Sequence, residues 1–437
     1  MTVETVLLYI AGVLIIALGL AISIALHELG HLWPAKRFGV YVPKYMIGFG
    51  PTIWSMRRGE TEYGIKALPL GGFVALSGMY PPADDGAMRD STTSFFDTAV
   101  QEADPSEDPK RAFYLLPAWK RIVVMLGGPV MNLLLAVVAY AIVLCAIGIP
   151  QVSTTIGAVN ECVVPASETR LECAPGDPTA PAAAAGILPG DRLLAIDGAE
   201  VTDWFASTEM IRANAGRPID ILVERDGAEL ELTATPMLSQ RYALDAQGEV
   251  VRDAAGEPTF VDVGFLGIGP AYETRPQPIT AVLPAVGDNI ARVFDIIWQL
   301  PVKIWEVGTV LVTPEAERDP DGPLSVVGVG RLAGEIASID TVPLLDKAAS
   351  IVGVFASLNI ALFVFNLIPL LPLDGGHVLG AIWESLRRGW AKLRGAPDPG
   401  PVDISKAAPI TLVVVVLLGV MSLVLISADI FKPITLL

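Results

Sequence analysis

Histidine and cysteine, three of each, are what this 437-residue chain has least of, and positive charge is outnumbered by negative, 30 to 47. Three cysteines, with no Cys-x-x-Cys pair among them, exclude a disulfide-built scaffold, a zinc ribbon and a dithiol redox centre. Charged residues make up 18% of the chain, where soluble domains carry roughly 25%. A formal charge of −17 excludes a basic nucleic-acid binder, so no nucleic-acid partner is expected. With only three histidines, at 27, 31 and 377, each one is informative. What the chain has in abundance is apolar residues, 52% of the total, with a mean hydropathy of +0.54. This is the composition of a membrane protein with a sizeable polar part.

Four runs carry no charge and are long enough to span a hydrocarbon core of about 30 Å, which needs roughly 20 helical residues: 6–26, 122–149, 348–373 and 407–428. The expected fold class is a polytopic α-helical membrane protein with four transmembrane helices, at 1–33, 119–149, 348–383 and 407–429. The first run lacks a basic n-region and exceeds the ~7–15 apolar residues of a signal-peptide core, so it reads as a retained helix. Basic residues orient the bundle. The stretch 32–121 holds 11 Lys/Arg and the short stretch 384–406 holds 5, whereas 148–348 holds 13 against 30 Asp/Glu. Lys120, Arg121, Arg387, Arg388, Lys392 and Arg394 flank helix ends, so by the positive-inside rule these loops are cytoplasmic. Both termini and the acidic segment are then expected outside.

Between the spans, 41–78 is rich in aromatic, β-branched and glycine residues and reads as a membrane-associated β-sheet with a turn at residues 56–60. An acidic cytoplasmic loop is expected at 81–112. Within 279–346, a juxtamembrane segment, the charges and proline that interrupt 293–312 suit a helix lying in the interface. The segment 154–270 has an alanine-rich start, a Gly186-Ile-Leu-Pro-Gly190-Asp191 turn, and Asp-Gly hairpin turns at 197–198 and 226–227. It resembles a PDZ domain, an α+β module that captures an extended peptide by strand addition; residues 240–263 read as an inserted loop. Cys162 and Cys173 lie on the outer side, where a disulfide is permitted. Cys145 reads as helix packing.

Chemistry concentrates in two places. His27-Glu28-Leu29-Gly30-His31 places two imidazoles four residues apart on one helix face, able to share one zinc, with a glutamate beside them as general base. Ionisable groups at the end of an apolar span are costly without partners. A tetrahedral zinc needs a third protein ligand plus water. Asp374, in Asn366-Leu-Ile-Pro369-Leu-Leu-Pro372-Leu-Asp374-Gly375-Gly376-His377, is favoured, with His377 the rival. Pro369 and Pro372 break the helix there, and irregular backbone at membrane depth requires burial or a wet cavity. Both motif-bearing helices run inward, so the two motifs share one depth on the cytoplasmic side.

These motifs, with Gly127-Gly128-Pro129-Val130-Met131-Asn132 and the sheet segments Gly48-Phe49-Gly50-Pro51, Glu60-Thr61-Glu62-Tyr63-Gly64 and Pro69-Leu70-Gly71-Gly72, make the chain resemble the site-2 protease family of intramembrane zinc metalloproteases. Their order is that of its bacterial RseP-type group. The resemblance implies one Zn(2+) per chain held by His27, His31 and Asp374, with Glu28 as general base. Asn366 and Asn132 are candidates for substrate binding or oxyanion support, and Asn132 equally for an interhelical hydrogen bond. It further implies a multi-pass protein of the bacterial inner membrane. Its substrates would be single-span membrane proteins such as anti-sigma factors, already cut outside by a site-1-type protease, with a peptide ligand for the PDZ domain. Two alternatives stand beside regulated proteolysis: clearance of signal-peptide remnants, and a non-enzymatic PDZ membrane scaffold. A transporter is disfavoured, since no inverted repeat is visible.

Overall fold

The structure, a computed structural model, describes residues 3–79, 81, 109–164, 173–244, 250–253, 256–313, 315–316, 318–320, 322–340, 342–403 and 407–434. Most of the acidic loop expected at 81–112 lies outside the described residues. The chain divides into two units, Met1–Ile147 with Gln277–Leu437, and Gly148–Pro276.

The first unit begins with α1 (Val3–Arg37), whose 35 residues reach about 52 Å at 1.5 Å per residue. Its end is a Schellman motif: Gly39, at φ 85°, donates to Lys36 O and Val40 donates to Ala35 O, both at 3.0 Å. Strands β1 (Lys44–Arg58) and β2 (Thr61–Ala75) follow, joined at Gly59. Each folds back on itself. Residues 44–47 pair with 72–75 on one side and 62–65 on the other, while 52–58 pair with 61–66. Gly48, at φ 92°, makes the bend possible; a Cβ there would stand 2.7 Å from Leu68 O. Segment 72–75 is therefore an outer edge. The sheet is tied to α1 where the Tyr45 hydroxyl donates to Ala25 O at 2.6 Å.

Helix α2 (Ala118–Ala141) runs on through a π-helical turn, Ile142–Ile147. Its start, the end of α1 and residues 40–42 and 76 share a core of Leu32, Ala35, Val40, Val42, Leu76, Phe113, Val124 and Met125. Arg111 pairs with Glu60 at 2.7 Å, and the guanidinium holds that carboxyl below its ordinary range.

The second unit is an antiparallel sheet with two short helices. In chain order it contains β3 (Ile149–Val159), α3 (Pro181–Ala184), β4 (Arg192–Ile196), β5 (Ala199–Glu200), α4 (Trp204–Ala213), β6 (Ile219–Arg225), β7 (Ala228–Ala234), β8 (Met237–Tyr242), β9 (Phe260–Phe265) and β10 (Ile268–Arg275). The sheet order is β10-β3-β4-β6-β7, with β5 on β4, and β8 and β9 form a separate pair. Residues 240–263, read from sequence as a loop, thus contribute residues to both strands of that pair. Positive φ at Asp197-Gly198 and Asp226-Gly227 builds the tight turns that such dipeptides favour. The alternate residues Ile219, Ile221 and Val223 enter a core with Ile156, Leu193, Ile196 and Leu266. Asp191, buried, accepts from Arg225 through both oxygens at 2.6 and 2.7 Å, which holds its carboxyl below the ordinary range. Cys162 and Cys173 form a disulfide.

The first unit resumes with α5 (Val282–Val312), α6 (Val326–Ser338), α7 (Leu344–Asn366), α8 (Asp374–Leu393) and α9 (Ala408–Phe431). Among the described residues four helices are long and apolar enough to cross a membrane: α1, α2 with its π turn, α7 and α9. The chain is a polytopic membrane protein with antiparallel sheets. Helix α5 packs Val307, Ile304 and Leu311 on Leu425 and Ala428 of α9, and exposes Phe294, Trp298 and Trp305. Helix α6 lies against α1, where Gly12 has no room for a Cβ (2.3 Å from Ala333 O). Asp429 of α9 accepts from Ser325 N and Gly328 N at the start of α6. Helix α8 is fastened to α2 by a buried ion pair, Arg121 to Glu384 at 2.5 Å. Such a pair adds little net stability, but removing either partner strands a buried charge.

Candidate metal centre

The site is built on a crossing of α1 and α2 so close that their backbones touch. A Cβ on Gly30 would lie 2.2 Å from Gly127 O, and one on Gly127 would lie 2.0 Å from Gly30 O. Glycine is required at both positions. Gly128, one residue on, faces the imidazoles instead: its Cβ would stand 2.3 Å from His31 Nε2 and 2.7 Å from His27 Nε2. The missing methyl leaves space beside both ring nitrogens.

Hydrogen bonds behind the two rings assign their protons. His31 Nδ1 lies 2.8 Å from Val124 O, a carbonyl that can only accept, so Nδ1 donates. His27 Nδ1 lies 2.6 Å from Asn132 Oδ1. The Asn132 Nδ2 is directed at Ser23 Oγ and Asn359 Oδ1, both at 3.2 Å, which fixes the amide with its oxygen toward His27. With both rings neutral, as metal-ligating histidines are, the two Nε2 atoms are bare lone pairs. They lie 3.2 Å apart, and 3.3 and 3.4 Å from Asp374 Oδ2.

In that state three acceptor atoms converge with no proton among them, and Asp374 Oδ2 is buried without a hydrogen-bond partner among the described residues. Unpaired, this arrangement is repulsive; a cation resolves it. Tetrahedral zinc, with bonds of about 2.0–2.1 Å, sets its ligand atoms about 3.3–3.4 Å apart. The spacing of these three atoms and the two-nitrogen, one-carboxylate donor set fit that ion.

Asp374 is brought here by the turn between α7 and α8. The apolar run 348–373 is not one helix: α7 stops at Asn366 and a new helix starts at Asp374, with Pro369 and Pro372 between them. Gly375 and Gly376 allow the turn to fold onto the helix start, since a Cβ would meet Leu367 O at 2.4 Å or Leu371 N at 2.6 Å. Glu28 lies beside the two imidazoles, and Val74 on the outer edge of β2 lines the same cavity. Gly72 packs against it, with room for a Cβ only 2.9 Å from Glu28 Cγ.

A cavity of about 220 Å³ opens over these groups, lined by Glu28, the edge residues Gly72, Phe73 and Val74, and Asn366, Asp374 and His377. Asn366 faces the reacting space. Asn132 does not line it; both ends of its amide are engaged between helices. His377 lines the cavity, yet its ring is not among the convergent atoms. A larger cavity of about 660 Å³ between α1, α6, α7 and α9 is almost wholly apolar and is lined by none of His27, Glu28, His31, Asp374 and His377. In the sequence Gly30 and Gly127 stand inside recognisable motifs without a role of their own, and Ser23 and Asn359 do not stand out. The doubled glycine before Pro129 was the visible signal for the first pair; Ser23 and Asn359 were polar residues inside apolar runs, and carried a signal only in that sense.

Known proteins bear on this geometry. The family model described as "Peptidase family M50" matches residues 15–396. The chain is 35% identical to the zinc metalloprotease Rip1 of Mycobacterium tuberculosis over 98% of this chain and 100% of that protein. It is 34% identical to Rip1 of Mycolicibacterium smegmatis over 97% of this chain and 98% of that protein. With the metalloprotease MmpA of Caulobacter vibrioides it shares 30% identity over 84% of this chain and 85% of that protein. A membrane-embedded histidine pair with a glutamate between them, and a match of this extent, have one reading: the chain belongs to peptidase family M50, the site-2 protease family, and is an intramembrane zinc metalloprotease.

Proposed function

We propose that His27, His31 and Asp374 hold the zinc, that Glu28 is the general base, and that the enzyme cuts the membrane segments of single-span proteins already shortened outside. The observation that carries the assignment is the convergence of three proton-free acceptor atoms beside Gly128. When bound there, zinc supplies Lewis acidity, able to bring the pKa of a water to about 7. Glu28, next to both imidazoles and reached by the cavity, takes the proton of the attacking water. Asn366 offers an amide N–H to the oxygen that gains charge as the scissile carbonyl is attacked. An alanine at position 128 puts its methyl where the ion and both Nε2 atoms meet. In Gly128→Ala the zinc content of purified protein is expected to fall from one per chain to near zero. Full retention contradicts the ligand set.

A transmembrane helix hides its carbonyls in its own hydrogen bonds, so a substrate must be drawn out locally. Segment 72–75 is an outer strand edge beside Glu28, and an edge of this kind accepts an extended peptide. We assign it that role. A photo-crosslinking residue in place of Phe73, in a Glu28→Gln background that holds substrate uncut, is expected to join to the substrate near its scissile bond. Crosslinks confined to positions outside β2 sink this assignment.

The second unit is read as an extracytoplasmic PDZ domain. Its disulfide belongs to an oxidising compartment, and its acidic segment avoids the basic side of the membrane. Within it β10 is a sheet edge. A groove of about 190 Å³ lies between α4 and residues 264–268, with Arg212 and Arg241 in its wall. Such an edge beside a helix suits capture of a newly made peptide end. The protein is placed in the bacterial inner membrane with both termini outside and the zinc toward the cytoplasm. Anti-sigma factors, trimmed first by a site-1-type protease, are the expected substrates, and signal-peptide remnants are the second class. Excision of 148–276 is expected to let full-length, untrimmed substrates be cut. Continued resistance of untrimmed proteins, with trimmed ones still processed, rules out a filter in this unit.

A further inference from the structure

Behind the metal centre, on the side away from the cavity, three polar residues from three different helices meet in the apolar interior. Ser23 of α1, Asn132 of α2 and Asn359 of α7 are each fully buried. Their hydrogen bonds run in one direction only. Asn359 Nδ2 donates to Phe355 O of its own helix at 2.9 Å, which fixes that amide with Oδ1 facing the bundle. Asn359 Oδ1 accepts from Ser23 Oγ and from Asn132 Nδ2. Asn132 Oδ1 in turn accepts from His27 Nδ1. No member can reverse without leaving a buried donor or acceptor unpaired, which costs about 1–3 kcal/mol per group.

We propose that Asn359 and Ser23, acting through Asn132, are positioning residues that lock His27 in the tautomer and ring orientation that presents a bare Nε2 to the metal. This goes beyond the ligand assignment above and rests on it. A metal-ligating histidine usually gives its second N–H to a carboxylate, a backbone carbonyl or water. His31 follows that rule with Val124 O. His27 has an amide instead, and charge explains the choice. Glu28 and Asp374 already bring two negative charges to balance a divalent cation, and a third carboxylate at this depth would be costly. An amide is neutral and reversible end for end, so it needs its own partners to hold the oxygen outward. Asn359 and Ser23 supply them. The same contacts tie α1, α2 and α7 together at the level of the ion, so zinc affinity reads directly on how those helices are packed.

The test uses the full-length protein in detergent, with zinc affinity measured by chelator competition and the visible absorption of the cobalt-substituted protein as a reporter of ligand geometry. Asn132→Leu is expected to weaken zinc binding about 10–100-fold and to alter the cobalt bands. Asn359→Leu is expected to do the same to a smaller extent, about 10-fold. Asn359→Asp is isosteric and, as the neutral acid that an apolar interior favours, donates its O–H to Phe355 O while still offering an acceptor to Asn132 and Ser23, so it should restore affinity and spectrum. A role confined to helix packing would lower yield or unfolding temperature while folded protein kept its affinity and cobalt spectrum, and that result overturns the proposal. So does equal loss in Asn359→Leu and Asn359→Asp. If Asn132→Leu fails to accumulate, the two Asn359 variants decide. His31→Ala separates the two levels: unchanged affinity there would bring down the ligand assignment itself, whereas loss in His31→Ala with none in the Asn132 and Asn359 variants would bring down only the positioning network.

Discussion

Everything at the active centre depends on how closely α1 and α2 can approach. Gly30 and Gly127 let the two backbones meet, and Gly128 leaves the space that the methyl of any other residue would take from the imidazoles. With that crossing set, His31 reaches Val124 O and His27 reaches Asn132, so both rings turn their bare nitrogens to one point. Asp374 completes the point only because the α7–α8 turn folds tightly onto Gly375 and Gly376. In a membrane there is no water to rescue a misplaced carboxylate or imidazole, so geometry and charge balance must be satisfied together.

The rest of the first unit supports this centre. The buried Arg121–Glu384 pair fastens α8, and with it Asp374, to α2. Tyr45, bonded to Ala25 O, and Gly72, packed on Glu28, set the edge of β2 beside the proposed base. The glutamate is thus held between the proposed metal ligands on its own helix and a strand edge that is open to an extended chain. Water attack, carbonyl polarisation and unwinding of a helical substrate would then occur within one cavity of about 220 Å³.

Much of this was legible in the sequence because it rests on local rules. Charge-free runs identify spans by length, and HExxH places two ligands by helical period alone. Asp374 could be argued from depth, since both motifs end inward-running helices. Other features depend on contacts between residues far apart in sequence, to which periodicity is blind. Ser23 and Asn359 each look like a single polar residue tolerated in an apolar run; only their meeting, 336 positions apart, gives them meaning. The division of the helix expected at 348–383 into α7 and the separate α8 is announced by Pro369 and Pro372, but not where the second helix begins. The full extent of α5 was also obscured, because its charges and Pro301 interrupt the apolar pattern that the interior of the helix carries.

The central claim is that a membrane-embedded site with Glu28 as base cuts shortened single-span proteins. It is tested most directly by comparing the membrane proteomes of cells that carry the parent protein or Glu28→Gln. The account predicts single-span fragments, already trimmed outside, that persist only with the variant; their identity separates anti-sigma factors from signal-peptide remnants. Identical proteomes, with the variant stably present and holding one zinc per chain, would contradict it.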